Sequence, residues 1–221
     1  MDHKKHIVIL IFFILPILAF GQPEDSTLIE TPIRKGRWIA VLHGVINSGT
    51  VIRPDSSISN QKFSNNYSFA VSGYKVIVDR LGIGLLFAIQ RTGTEEFFIR
   101  ESESFNVGPS VRYYLATQKQ GGPFVQSSII YSRFYDRVAL LDIQSPVDMV
   151  LKGNGPGLMF GLGYSYVFKD ILNLEIGFEF THAWLSGESI DQINSISDKT
   201  DFRRFSFSFS FGLGILIGKQ K

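Results

Sequence analysis

From Phe205 to Ile217 the chain alternates. Phe205, Phe207, Phe209, Phe211, Leu213, Ile215 and Ile217 are separated by Ser206, Ser208, Ser210, Gly212 and Gly214, with Leu216 the one large exception. Successive side chains on a strand point to opposite faces. The segment therefore makes a strand with one bulky apolar face and one small polar face. Wound at about 3.6 residues per turn, the same residues would give a helix of mixed character all round.

The period of two recurs. Leu172, Leu174, Ile176, Phe178 and Phe180 alternate with Asn173, Glu175, Gly177, Glu179 and Thr181. Leu158, Phe160, Leu162, Tyr164, Tyr166 and Phe168 alternate with Met159, Gly161, Gly163, Ser165 and Val167. Similar rows run through 66–77, 81–91 and 104–116. Segments 36–47 and 123–135 have strand length, but their faces cannot be assigned. The sequence thus predicts strands over 36–47, 66–77, 81–91, 104–116, 123–135, 156–168, 172–186 and 202–217. Pro109 removes a ladder donor inside a strand, and a local bulge is expected there. The stretches after 47, 91, 135 and 186 are long, and those after 77, 116 and 168 are short. In a meander, alternate connections lie at the same end, so long loops gather at one end and tight turns at the other. Transmembrane barrels are built this way.

Both a membrane barrel and a lipocalin-like soluble barrel close eight strands. The choice depends on where the bulk points. An interior of eight strands is only just wide enough for its own side chains. It could not take four Phe from one strand together with the Leu, Ile and Tyr rows of its neighbours. The opposite face offers Gly, Ser, Ala, Gln, Glu and Arg, which suit a narrow polar lumen. The aromatic and aliphatic face is therefore expected against lipid. The expected fold is all-β, an eight-stranded antiparallel up-and-down transmembrane β-barrel over 36–221.

The amino terminus has the pattern of an export signal. Lys4 and Lys5 precede an uncharged run of 14 residues, Ile7 to Phe20, broken by Pro16. A spanning helix needs about 20 apolar residues. Ala19 and Gly21 suit cleavage before Gln22, giving a signal peptide over 1–21. Residues 22–35, polar with two Pro, read as a short flexible periplasmic lead-in. Cys is absent, which excludes a disulfide framework, thiolate metal sites and a Cys nucleophile. A net charge of +2 is too small to argue for nucleic acid.

Four stretches carry a resemblance: Ser72-Gly-Tyr-Lys75 with Asp79-Arg-Leu-Gly-Ile-Gly-Leu85, Val107-Gly-Pro-Ser-Val-Arg-Tyr-Tyr-Leu115, Gly122-Pro-Phe-Val125, and Pro156-Gly-Leu158 with Gly163-Tyr-Ser-Tyr-Val-Phe168. With them the chain resembles the outer-membrane β-barrel domain family, the porin-like, OmpA/OmpX-type eight-stranded barrels. The resemblance implies a cell outer-membrane location in a Gram-negative envelope. It also implies a monomer inserted by the barrel-assembly machinery and surrounded by outer-membrane lipid and lipopolysaccharide, with no cofactor. The ending Ile217-Gly-Lys-Gln-Lys221 departs from the family's usual terminal aromatic.

The expected lumen polar network is Arg112, Glu175, Glu179 and Gln90. The expected interfacial girdle is Trp38, Tyr67, Tyr113, Tyr164, Tyr166, Phe168 and Trp184. Glu95, Glu96, Glu101 and Glu103 form an acidic external cluster, read as a solvated loop face. No metal site is expected of His43 and His182 without Cys. His182, Ser186 and Glu188 hold residue types used by a barrel-embedded lipid A deacylase. Positions four apart on a strand lie about 13 Å apart, so His182 and Ser186 cannot bond. Glu175 and Glu179 are too far apart for retaining glycosidase chemistry. The expected role is non-enzymatic, structural or surface-interacting. The alternatives are a small-solute or ion pore and, more weakly, a lipid-modifying enzyme.

Overall fold

The computed structural model describes residues 31–52, 61–64, 67–94, 98–116, 120–140 and 147–218. The signal segment, Glu95, Glu96 and the last three residues lie outside them. Nine strands follow in chain order: β1 (Trp38–Ile52), β2 (Gln61–Ser64), β3 (Tyr67–Val78), β4 (Leu81–Thr94), β5 (Phe98–Tyr114), β6 (Gly121–Leu140), β7 (Val147–Phe168), β8 (Leu172–Asp191) and β9 (Ile196–Ile217). Eight of them, β1 and β3 to β9, pair antiparallel in sequence order, and β1–β9 pairing from Trp38↔Ile217 to Ile52↔Arg203 closes the ring. β2 is a short addition on the outer end of β1. Closure leaves no open backbone edge along the ring, which lipid demands.

The face assigned to lipid is the exposed face. Phe207, Phe209, Phe211, Leu213, Ile215 and Ile217 are exposed, while Ser206, Ser208, Ser210 and Leu216 are buried. The same split orders Ile83, Leu85, Phe87 and Ile89 on β4 and Ile176, Phe178 and Phe180 on β8. A soluble monomer does not expose apolar surface on this scale. The band ends at the outer side where Arg91, Glu103, Arg133, Asn154 and Arg203 replace apolar residues on the outward faces.

The two unassigned strands now have faces. On β1, Ile39, Val41, His43, Val45 and Asn47 point inward, and Trp38, Leu42 and Ile46 point outward. On β6, Phe124, Gln126, Ser128, Ile130, Ser132 and Phe134 point inward, and Ile129 and Tyr131 point outward. Both strands carry apolar residues on both faces because their inward bulk fills the lumen.

Three expectations are corrected. The strands run further outward than their alternation suggested: β6 reaches Leu140, β7 begins at Val147, β8 reaches Asp191 and β9 begins at Ile196. Much of the long loops is therefore a strand wall above the band. Pro109 introduces no bulge. The β5–β6 register is the same on both sides of it, Val107↔Tyr131 and Ser110↔Ser128, with only the intervening pairs missing. The observed irregularity is between Val76 and Val78 on β3. Residues 31–35 belong to the structured body rather than to a flexible lead-in. Ile33 is fully buried in a cluster with Ile39, Tyr74, Val76, Tyr114 and Val167 at the turn end. The Lys35 amide donates to Asp79, and Arg37 and Arg34 both reach Asp170 in the β7–β8 turn.

Strand crossings are tight on the inner wall. A Cβ on Gly84 would sit 1.7 Å from the Gly73 carbonyl oxygen, so only glycine fits there.

Replacing Phe209 with Arg at mid-band should destabilise the barrel by about 2–4 kcal/mol. Replacing Ile217 with Arg at the band's edge should cost about 0–1 kcal/mol. Urea unfolding in detergent micelles or vesicles measures both. Equal penalties at the two depths would contradict the lipid-facing assignment.

Candidate functional site

The lumen is organised in three levels. At the turn end the apolar cluster around Ile33 fills the cross-section, with Val41, Phe124 and Leu216 completing it. At the loop end a second apolar cluster contains Val51, Phe134, Leu151, Ala183, Leu185 and Phe202. Between them lie polar and charged side chains together with two smaller apolar groups, Val45 with Ala70 and Ala88, and Leu86 with Ile130 and Met159.

The centre of the middle level is Arg112 on β5. Its guanidinium donates to Glu175 on β8 at 2.5 Å and to Gln126 on β6 at 2.9 Å. It is also sandwiched between the rings of Tyr74 and Phe124, at 4.3 and 4.2 Å from their centroids. Cation–π contacts of this sort strengthen when water is excluded. Glu175 accepts a further bond from Asn173 at 2.7 Å, and Asn173 accepts from Ser165 at 2.6 Å. His43 on β1 reaches Glu175 at 3.8 Å and Ser72 at 3.3 Å. The pair Arg112–Glu175 is about 1% exposed on each side, so both charges depend on each other and on these neighbours.

Gln90 sits in a second group nearer the loop end. It accepts from Ser104 at 3.0 Å and from Arg204, which lies over the Phe134 ring. Glu179 lines a small cavity with His43, Arg112, Gln126 and Glu175, on the inward face of β8. The structure thus brings Arg112 and Glu175 into one bonded network and places Glu179 beside it. Gln90 belongs to a separate group. The alternation in sequence places Asn173 and Arg204 on the inward faces but does not join them to Glu175 or Gln90, because inward polar residues on different strands are related only by register; His43 and Gln126 lie on the two strands whose faces the sequence leaves unassigned.

On the outer surface, Trp38, Tyr164, Tyr166, Phe168 and Trp184 are exposed, and Tyr113 is half-buried. Trp38, Tyr113, Tyr164, Tyr166 and Phe168 stand near the turn end, and Trp184 stands near the loop end. Lys75 lies over the Trp38 ring at 5.6 Å. Tyr67 begins β3, and its side chain lies outside the described residues. Tyr131 on β6 is a further exposed aromatic that was missed, because the faces of β6 were unassigned.

His182, Ser186 and Glu188 are not assembled. The His182 ring packs against Phe205 and Trp184, with centroids 4.2 Å away in both cases. Glu188 is paired with Lys152 at 3.2 Å, and Ser186 stands opposite Asn154. Glu103 is paired with Arg91 at 3.1 Å, and Glu101 stands exposed opposite Arg137. Among the described residues no cluster of His, Asp or Glu could hold a metal ion.

Above the band, Arg137 donates to both oxygens of Asp148, at 3.0 and 2.8 Å. These bonds hold the Asp148 carboxyl below its ordinary value.

No family model matches the chain, and no curated protein matches it by sequence. Solved structures do match. The attachment invasion locus protein Ail of Yersinia pestis aligns with a TM-score of 0.51 at 11% identity, covering 83% of this chain and 99% of that one. Neisserial surface protein A aligns with a TM-score of 0.51 at 16% identity, covering 82% and 99%. The outer membrane protein OprG from Pseudomonas aeruginosa aligns with a TM-score of 0.55 at 10% identity, covering 84% and 98%. The fold is that of the eight-stranded outer-membrane β-barrels. Closed ring and lipid-facing band together place this outer-membrane barrel in the cell's outer membrane.

Two results are expected. Arg112→Met should destabilise the barrel by about 3–5 kcal/mol, since it leaves a buried carboxylate without its partner. Adding Glu175→Gln should restore much of that loss in the same unfolding assay. The second concerns Asp148. A carboxyl held low in the folded state stabilises it above the ordinary carboxylate range, and that contribution disappears as pH falls through the depressed value. Arg137→Gln should return the Asp148 titration, followed by NMR, upward toward 3.8.

Proposed function

We propose that this chain is a monomeric, non-conducting and non-enzymatic outer-membrane barrel, whose role is structural or surface-interacting and is carried by the strand wall above the lipid. The observation that carries this reading is the filling of the lumen at two separate levels by apolar side chains, with an ion-paired layer between. An ion crossing that interior would have to shed its hydration against Tyr74, Tyr114 and Phe124 at one end and against Phe134 and Phe202 at the other. An eight-stranded interior has little room for both a packed core and a water column. The dispersal of His182, Ser186 and Glu188 removes the one constellation that suggested acyl-ester hydrolysis. Closure within a single chain supports a monomer, because no edge in the band needs a second copy.

The extended wall supports a surface role. Strands β6 to β9 continue above the band and carry the pairs Arg137–Asp148 and Lys152–Glu188. Recognition surfaces on a rigid sheet lose less conformational entropy on binding than mobile loops do.

The folded, purified full chain should give no stepwise current in planar lipid bilayers. Reproducible single-channel steps from the heat-shifted, folded band would overturn the sealed-lumen reading and favour an ion or small-solute pore.

A further inference from the structure

We propose that the middle level of the lumen binds one proton, held on Glu179 as a neutral carboxylic acid at neutral pH, so that the barrel takes up a proton when it folds. This site is separate from the strand wall and does not depend on the wall's role. The charged and titratable side chains that meet at this level are His43 from β1, Tyr74 from β3, Arg112 and Tyr114 from β5, and Glu175 and Glu179 from β8. β6, β7 and β9 bring only Gln126, Gly161 and Ser210 to the cavity, and β4 has no ionisable residue between Leu81 and Gln90. With His43 neutral, two carboxyl groups face one guanidinium.

That guanidinium is already committed. Its Nη1 donates to Glu175, its Nε and Nη2 donate to Gln126 Oε1, and the rings of Tyr74 and Phe124 lie over it. No hydrogen bond or ion pair joins Glu179 to any described residue. The next cation toward the loop end, Arg204, donates to Gln90 and stands four positions above Ser208, which is opposite Glu179. Four positions are about 13 Å along a strand. His43 is the other group that could carry the missing charge. Its Nε2 is nearer the Ser72 hydroxyl, at 3.3 Å, than the Glu175 carboxylate, at 3.8 Å. An imidazolium there would face the Arg112 guanidinium across the same cavity, like charge against like charge.

A carboxylate kept inside the ring, with hydrocarbon beyond the wall and no cation of its own, is far costlier than a neutral acid. The cavity that Glu179 shares with Glu175 has room for about one water molecule, too little for a hydrated metal ion. A proton needs no such room. It also supplies a bond that the network lacks. Glu175 Oε2 is buried with no hydrogen-bond partner, and the O–H of a Glu179 acid is a donor lining the same cavity. Folding thus adds one proton from solvent to the Glu179 carboxylate. One O–H bond forms, and no other bond changes. The folded state then holds one proton more than the unfolded state, so stability falls as pH rises above the ordinary carboxylate range.

The test uses the folded full chain in neutral detergent, each variant first shown to give the heat-shifted band. Carboxyls of ordinary acidity are ionised at neutral pH, so the infrared spectrum of the wild type alone should show the C=O stretch of a protonated carboxyl. Glu179→Gln should remove that band, while Glu101→Gln on the exposed wall and His43→Asn in the lumen should keep it. Urea unfolding gives a second readout. Between about pH 5.5 and 7 the folding equilibrium constant of the wild type, divided by that of Glu179→Gln, should fall about tenfold per pH unit. The same ratio taken against His43→Asn should stay flat. A folded wild type without the protonated-carboxyl band would overturn the proposal. So would a slope that survives Glu179→Gln and disappears in His43→Asn, which would place the proton on the imidazole.

Discussion

Hydrocarbon offers a peptide N–H or C=O no partner, and every backbone group in the band must therefore find one in the protein. The β1–β9 pairing does this for the two strands that would otherwise be edges. Once the ring is closed, side-chain period and geometry are locked together: every second residue meets lipid and every other residue meets the lumen. A slip of one residue in any strand would exchange the two sets. The Phe205–Ile217 alternation is therefore as much a statement about register as about hydrophobicity.

The lumen obeys a second constraint, which conflicts with the first. Ring closure at eight strands leaves an interior that must be filled, and filling it with polar groups alone would leave many of them without partners. The chain divides the task by height. Ile33, Tyr74, Tyr114 and Phe124 close one end with apolar bulk, and Phe134, Leu185 and Phe202 close the other. Arg112 and Glu175 sit between them, where Gln126 accepts from Arg112, Asn173 donates to Glu175 and Ser165 donates to Asn173. A buried ion pair contributes little net stability but penalises any arrangement that separates its members. Arg112 and Glu175 come from strands three apart in the ring, so their pairing also favours one shear of the barrel over its neighbours.

What the sequence revealed follows this division. Strands whose inward residues are small and polar, such as β9 and β8, could be read directly. β1 and β6 could not, because Ile39, Val41, Phe124, Ile130 and Phe134 are apolar yet point inward as plug residues. Strand length above the band was invisible for a related reason. Once neither face meets lipid, the contrast between faces fades, and Val147–Gly155 looks like loop. Ile33 was unreadable because its burial depends on a mouth assembled from six strands distant in sequence. Arg112, Asn173, Glu175 and Glu179 could be assigned to a face, but not to one another, and His43 and Gln126 lie on the strands whose faces were not legible. Which inward residues meet depends on register and shear, and neither is written in any single segment.

Charge on the outer surface is arranged by pairing rather than by sign. Above the band, Glu101, Asp148, Glu188 and Asp201 stand on the outward faces together with Arg137, Lys152 and Lys199. Arg137–Asp148 and Lys152–Glu188 are joined in place, and Arg91–Glu103 is joined at the band's edge. Exposed pairs of this kind contribute about 0–1 kcal/mol each. The wall therefore stands above the lipid because the ladder of β6 to β9 continues there, pairing the backbone from Leu140↔Val147 to Asp191↔Ile196, and its charges only keep that ladder wetted.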